Sequence, residues 1–194
     1  MDGINGITAA YTAVFLGSLA LIPLASHIPR PTLSAILPGM LAAVLAFAWF
    51  NFRKKARCFA GDVGSISLAL IIAWAFLSCW QGPSTLYLLL FPALYAVDSV
   101  MTICVRLYRR ENIFQAHRTH LYERLANEAG WDHRAVATLY GGLQLGINLL
   151  AIFLISPLPH QQQLFFVFLT YLALCLAYFT TCHYLFQHHK IHKQ

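Results

Sequence analysis

The chain alternates between long apolar blocks and short polar interruptions, a pattern that predicts six membrane-length helices. The blocks run over residues 6–26, 33–52, 64–81, 85–107, 136–156 and 163–186. A helix crosses the hydrocarbon core of a bilayer with about 20 apolar residues, and each block is near that length. The breaks between them carry residues that stop helices. His27-Ile28-Pro29-Arg30-Pro31 closes the first block and Pro157-Leu158-Pro159-His160 closes the fifth. Gln81-Gly82-Pro83-Ser84 folds the uncharged run from Val63 to Val97 into a tight hairpin. Leu121 and Leu125, four apart in a polar loop, predict a short helix lying along the interface. There is no low-complexity tract and no evident repeat. Residues 1–194 therefore read as one membrane domain of the all-α class, a polytopic transmembrane helical bundle.

Composition agrees. The chain is 59% hydrophobic and 10% charged, against roughly 25% charged in soluble domains. The net charge of +6 reads as topology, not as a nucleic-acid footprint, because the basic residues sit between apolar blocks. Six spans put the N-terminus, the loops 53–63 and 108–135 and the C-terminal tail on one side. That side holds every Lys and Arg except Arg30. Such asymmetry marks the cytoplasmic face, so both termini are expected there. No basic stretch precedes residues 7–25, so the first block is a true span and not a signal peptide. The five cysteines form no Cys-x-x-Cys pair and read as small hydrophobes, with neither a disulfide framework nor a zinc site expected.

Three polar motifs fall on the expected cytoplasmic side. Phe59-Ala60-Gly61-Asp62-Val63-Gly64-Ser65 opens the third span. Its glycines allow close ligand approach, and a helix starting at or after Ser65 would aim free N–H groups at the cytosol. Asp62 there suits Mg²⁺, a hard cation that takes few carboxylates and shares phosphate oxygens; an ordinary loop with a cap is the other reading. Ala116-His117-Arg118-Thr119-His120-Leu121 is a cationic donor cluster suited to phosphate oxygens, or a solvated basic loop. Asp2-Gly3-Ile4-Asn5-Gly6-Ile7 is a third small-residue polar stretch, or a frayed terminus. The tail, with His183, His188, His189, His192, Lys190 and Lys193, suits anionic headgroups, with a metal site as the other reading. Asp98 falls inside the fourth block, where a charge is costly. It is either a functional group or a residue near the interface that pairs with Arg106 or water. Mg²⁺- and phosphate-binding chemistry gathered on one membrane face points to an enzyme acting on a phospholipid substrate.

The three motifs, in this order, resemble those of the polyprenyl-phosphate N-acetylhexosamine-1-phosphate transferases, glycosyltransferase family 4. Asp2-Gly3-Ile4-Asn5-Gly6-Ile7 is similar to the family's Asp-Gly-[hydrophobic]-Asp/Asn-Gly-[hydrophobic] stretch. Phe59 through Ser65 resembles its Phe-x-Gly-Asp-x-Gly-Ser signature, and His117-Arg118-Thr119-His120 its histidine loop, in the form closer to the O-antigen-type members. The resemblance implies transfer of an N-acetylhexosamine-1-phosphate from a UDP-sugar to polyprenyl phosphate, with release of UMP, at the start of cell-envelope polysaccharide synthesis. It implies Mg²⁺, with Mn²⁺ as the substitute, and Asp62 as its ligand. Asp62, His117, Arg118 and His120 would be catalytic. Asp2, Asn5, Asn51 and Phe59 would bind the nucleotide sugar, with Phe59 stacked on the uracil. The partners implied are the UDP-sugar, the lipid phosphate and the membrane, with a homodimer as an option and no nucleic acid. The location implied is the bacterial inner membrane, with the active face cytoplasmic.

Two features depart from the family pattern. Phe52-Arg53-Lys54-Lys55 stands where many members carry a proline turn. No adjacent aspartate pair occurs in the chain, although the family's pair lies upstream of the Asp-Gly stretch. The chain is therefore expected to be the C-terminal part of a longer transferase and inactive by itself. The alternatives are a non-catalytic truncated membrane protein, or a transporter-like subunit with Asp98, Gln144 and Asn148 along its path.

Overall fold

A computed structural model describes residues 3–26, 31–113, 115 and 118–191, and the side chains of all these except 23–26, 31 and 186–191. Among the described residues seven α-helices follow one another: α1 (Ile7–Ser26), α2 (Pro31–Asn51), α3 (Gly61–Cys79), α4 (Ala93–Tyr108), α5 (Leu121–Asn127), α6 (His133–Leu150) and α7 (His160–Ile191). A 3₁₀ segment, Gly82–Leu90, precedes α4, and a π-helical turn, Ala151–Ile155, extends α6. No strand occurs among the described residues. The all-α bundle expected from hydropathy is the fold observed.

The helix α1 is the centre. Phe15, Leu16, Leu19 and Ile22 are buried against Leu33, Leu37 and Val44 of α2, Ala75 and Cys79 of α3, and Phe91. Its buried polar residues, Thr8, Thr12 and Ser18, are small and allow neighbours close approach. The outer helices are the reverse. Along α3, Val63, Ile66, Leu70 and Leu77 are exposed at helical spacing, and along α7 so are Phe165, Phe168, Leu172 and Leu176. Water would not tolerate apolar surface on this scale; lipid is its natural solvent.

Among the described residues four helical stretches are long and apolar enough to cross a bilayer: Thr32–Asn51, Gly61–Cys79, His133–Ile155 and His160–Leu185. The predicted fourth span, 85–107, differs from expectation. It is a broken element, the 3₁₀ segment meeting α4 at 73°, with Pro92 at the corner. Hydropathy is uniform across the break and does not register it. Counted as one span, the pair makes a fifth. The predicted first span forms a helix whose apolar part, Ile7–Ile22, is shorter than the others.

A broken helix inside a bilayer must satisfy its backbone with protein groups, and α6 does this. Gln144 accepts from Leu94 N–H at 2.9 Å and donates to Leu90 C=O at 2.8 Å, on either side of the corner. It also donates to Asn148, which donates to Ser18 of α1 at 2.9 Å. The two polar residues singled out as a transport path are thus committed to the fold. Gln163 works alike at the far end of the bundle. It accepts from Tyr87 N–H at 3.1 Å and donates to the carbonyls of Ser156 and Leu158.

Candidate functional site

The near end of the bundle gathers the polar motifs. Asn51, at the last position of α2, is fully buried. Its Oδ1 accepts from Gly6 N–H at 2.8 Å and its Nδ2 donates to Cys58 C=O at 2.9 Å. The side chain ties the Asp-Gly stretch to the loop leading into Asp62. Asn5 reinforces the tie, donating to the carbonyls of Arg53 and Lys54, while its N–H donates to Nδ1 of His133 at 3.4 Å. Gly6 has φ +87°, and a Cβ there would collide with the Phe52 ring. Both facts require glycine.

Gly3 reaches the other side of the site. A Cβ at Gly3 would collide with the Glu123 carboxylate and crowd the Tyr122 hydroxyl. The first motif therefore lies between the loop of the second and the helix α5 that follows the third. His120 precedes α5, its ring stacked on Tyr122 at 5.3 Å. Its N–H donates to Glu123 Oε2 at 3.2 Å, half of a capping box. Leu121 and Leu125, the pair that predicted this helix, are buried. Burial holds the Glu123 carboxyl above its ordinary range, opposed by the His120 N–H. At the other end of the loop, a hydrogen bond from Arg134 holds exposed Asp132 below it.

The remaining predicted residues face outward. Phe59 is 61% exposed, and Asp62 and Arg118 are also exposed. Helix α3 begins at Gly61, four residues before the expected start, so Asp62 stands in its first turn and not in the loop ahead of it. Gly61, at φ +59°, makes that turn. Neither Asp62 nor Arg118 forms an ion pair among the described residues. Asp2 and His117 lie outside the described residues, as do the side chains of His188, His189, Lys190, His192 and Lys193. Among the described residues no three His, Cys, Asp or Glu side chains cluster as a metal site. A single exposed carboxylate such as that of Asp62 is compatible with a Mg²⁺ ion that draws its other ligands from phosphate and water.

One residue that sequence reasoning left without a site role organises the loop. Arg106, expected to mark the cytoplasmic side or to pair with Asp98, is buried near the end of α4. It donates to Asn112 C=O at 2.6 Å, to Gln115 C=O and to Glu111. Glu111, not Asp98, is its ionic partner. Two cavities flank α5. One of about 550 Å³ is lined by Arg106, Arg109, Thr119, Arg124 and His183. The other, about 370 Å³ and largely apolar, is lined by Leu121, Leu125, Trp131, Leu174 and Tyr178.

Residues 1–79, which hold the first two motifs, match the family model described as glycosyl transferase family 4. Over that stretch the chain is similar to that family. Among curated proteins it is similar to the phospho-N-acetylmuramoyl-pentapeptide-transferase of Thermosynechococcus vestitus, 29% identical over 166 residues, which is 79% of this chain and 40% of that protein. It is similar to the Streptococcus gordonii protein of the same name, 28% identical over 78% of this chain and 47% of the relative. It is also similar to a probable undecaprenyl-phosphate N-acetylglucosaminyl 1-phosphate transferase of Bacillus subtilis, 25% identical over 72% of this chain and 39% of the relative. The chain thus spans less than half the length of the curated relatives it matches. No solved structure matches it. These relatives are phospho-N-acetylmuramoyl-pentapeptide or N-acetylglucosaminyl 1-phosphate transferases by name.

Proposed function

We propose that this chain supplies the nucleotide-diphosphate part of a site that transfers an N-acetylhexosamine-1-phosphate from a UDP-sugar to polyprenyl phosphate. The observation that carries this is the convergence of the motifs at one end of an apolar bundle. Asn51 joins the first to the second, and Gly3 meets the helix that continues the third. The family relationship supports the reaction class.

In the proposed reaction an oxygen of the lipid phosphate bonds to the β-phosphorus of the UDP-sugar, the bond from that phosphorus to the bridging oxygen breaks, and UMP leaves with the bridging oxygen. Phosphoryl transfer of this kind depends mainly on positioning and charge neutralisation. Arg118, His120 and His117 are assigned to the diphosphate oxygens, as N–H donors that strengthen as charge develops. Phe59, exposed three residues before Asp62, is assigned to the uracil face, and Asp2 and Asn5 to the nucleotide pocket. Asn51 contributes by holding Gly6 and Cys58 in register. Asp62 is assigned to Mg²⁺, which supplies electrostatic stabilisation of the phosphate oxygens when bound. The apolar cavity against α5 suits the polyprenyl chain. The face carrying these groups is assigned to the cytoplasm, in a bacterial inner membrane.

The chain contains no adjacent aspartate pair, and the proposal gives it part of the site. The purified 194-residue protein, supplied with Mg²⁺, UDP-N-acetylglucosamine and polyprenyl phosphate, is expected to release no UMP, and measurable release would contradict that. In a whole transferase carrying this segment, Asp62→Asn is expected to abolish UMP release with folding intact. Near-normal turnover in that variant would remove the metal role from Asp62.

A further inference from the structure

The buried carboxylate of Asp98 has a place in the fold that neither sequence reading anticipated. Asp98 is 2% exposed and lies on α4, one helical turn before Thr102 and two before Arg106. The three share one face. Its Oδ1 accepts from Leu121 N–H at 2.8 Å and its Oδ2 from Tyr122 N–H at 3.2 Å. Those are two of the four amides that open a helix without partners, here the first turn of α5. Tyr140 of α6 donates to Oδ2 at 3.0 Å and Thr102 to Oδ1 at 3.3 Å. Nδ1 of His120 stands 3.5 Å from Oδ1. A carboxylate in a span is costly unless its lone pairs are used, and here they are.

The same face of α4 thus grips the histidine loop at both ends. Arg106 holds the carbonyls of Asn112 and Gln115 at its start. Asp98 holds the amides of Leu121 and Tyr122 at its finish. Between them lie Arg118 and His120. The helix α5 has seven residues, too few to stand alone in solution, so its position depends on such ties.

We infer that Asp98 is a positioning residue for the diphosphate-binding loop, fixing where His120 presents its ring, and that it touches no substrate itself. The inference rests on the functional reading above. A purely structural role would weaken folding without singling out His120. Positioning requires coupling, because two groups that act through one another give non-additive effects.

The test is a double-mutant cycle in the 194-residue protein in detergent, reading binding of Mg²⁺–UDP-N-acetylglucosamine by calorimetry. Asp98→Asn keeps the shape but replaces one acceptor oxygen with a donor. It is expected to weaken binding by about tenfold in the unsubstituted background and by less than about twofold in His120→Ala. In Asp62→Gln, whose baseline binding is weaker, it should still weaken binding by its full factor. Should Asp98→Asn fail to fold, Tyr140→Phe and Thr102→Val each remove one donor from the carboxylate, and their effects should likewise vanish in His120→Ala. Unchanged binding, or equal effects with and without His120, would overturn this inference and leave the functional reading standing. No binding by the unsubstituted protein would overturn both.

Discussion

Glu123 shows how a single acid is made costly and useful at once. It is buried in the first turn of α5, where its carboxylate accepts from His120 N–H. Burial raises its folded pKa above the ordinary 4.5. The sign follows: between 4.5 and the raised value the unfolded chain has released the proton while the folded one retains it. The contribution of Glu123 to stability is therefore full at acid pH, falls as pH rises through that window and stays low above it. Glu123→Gln keeps an oxygen for His120 and removes the charge. Unfolding midpoints followed from acid to neutral pH should show a shallower decline in the variant than in the parent, and identical profiles would contradict this. The sequence displayed Glu123 as one acid in a polar loop, and nothing in its spacing to apolar residues showed that it is buried. Asp98 was visible as a charge within a span, but its partners Leu121 and Tyr122 lie more than 20 residues away, and local patterns do not report contacts at that separation. The His120-x-x-Glu123 spacing was the one available signal for the cap.

At the scale of elements, hydropathy located the helices and missed the break in one of them. The corner at Pro92 leaves Leu94 N–H and Leu90 C=O without helical partners, and Gln144 takes both. Gln144→Leu would bury these groups unpaired. The expected loss is about 1–3 kcal/mol, measured as reduced thermal stability in detergent. Gln162→Leu, at an exposed position of α7, serves as the comparison and should change little. Equal stability for both variants would contradict the role given to Gln144. Polar residues in spans invite a transport reading because sequence alone does not tell a lined pathway from an internal tie. Here the hydrogen-bond partners decide: the amide groups of Gln144 and Asn148 meet the backbone beside the break, each other and Ser18 of α1. The loop motifs were legible because they are contiguous. Their convergence was not, because it depends on Asn51 and Gly3 meeting segments distant in the chain.

The whole molecule is a two-ended bundle. Residues 3–6, 51–58 and 120–133 are tied together at one end, and Ser84, Tyr87, Ser156, Leu158 and Gln163 at the other. The topology proposed from the charge asymmetry puts the first end on the cytoplasmic side. Cysteines introduced at Arg53 and at Ser84 should therefore react with an impermeant thiol reagent from opposite sides of the membrane, Arg53→Cys from the cytoplasmic side; labelling of both from one side would contradict the topology. The central claim is that the near end binds a nucleoside diphosphate sugar together with a divalent cation. Titration of UDP-N-acetylglucosamine into the purified protein with Mg²⁺ present tests it most directly. The account predicts saturable one-site binding that is lost when Mg²⁺ is chelated and strongly weakened by Asp62→Asn. Absence of binding, or binding indifferent to both the metal and Asp62, would contradict it.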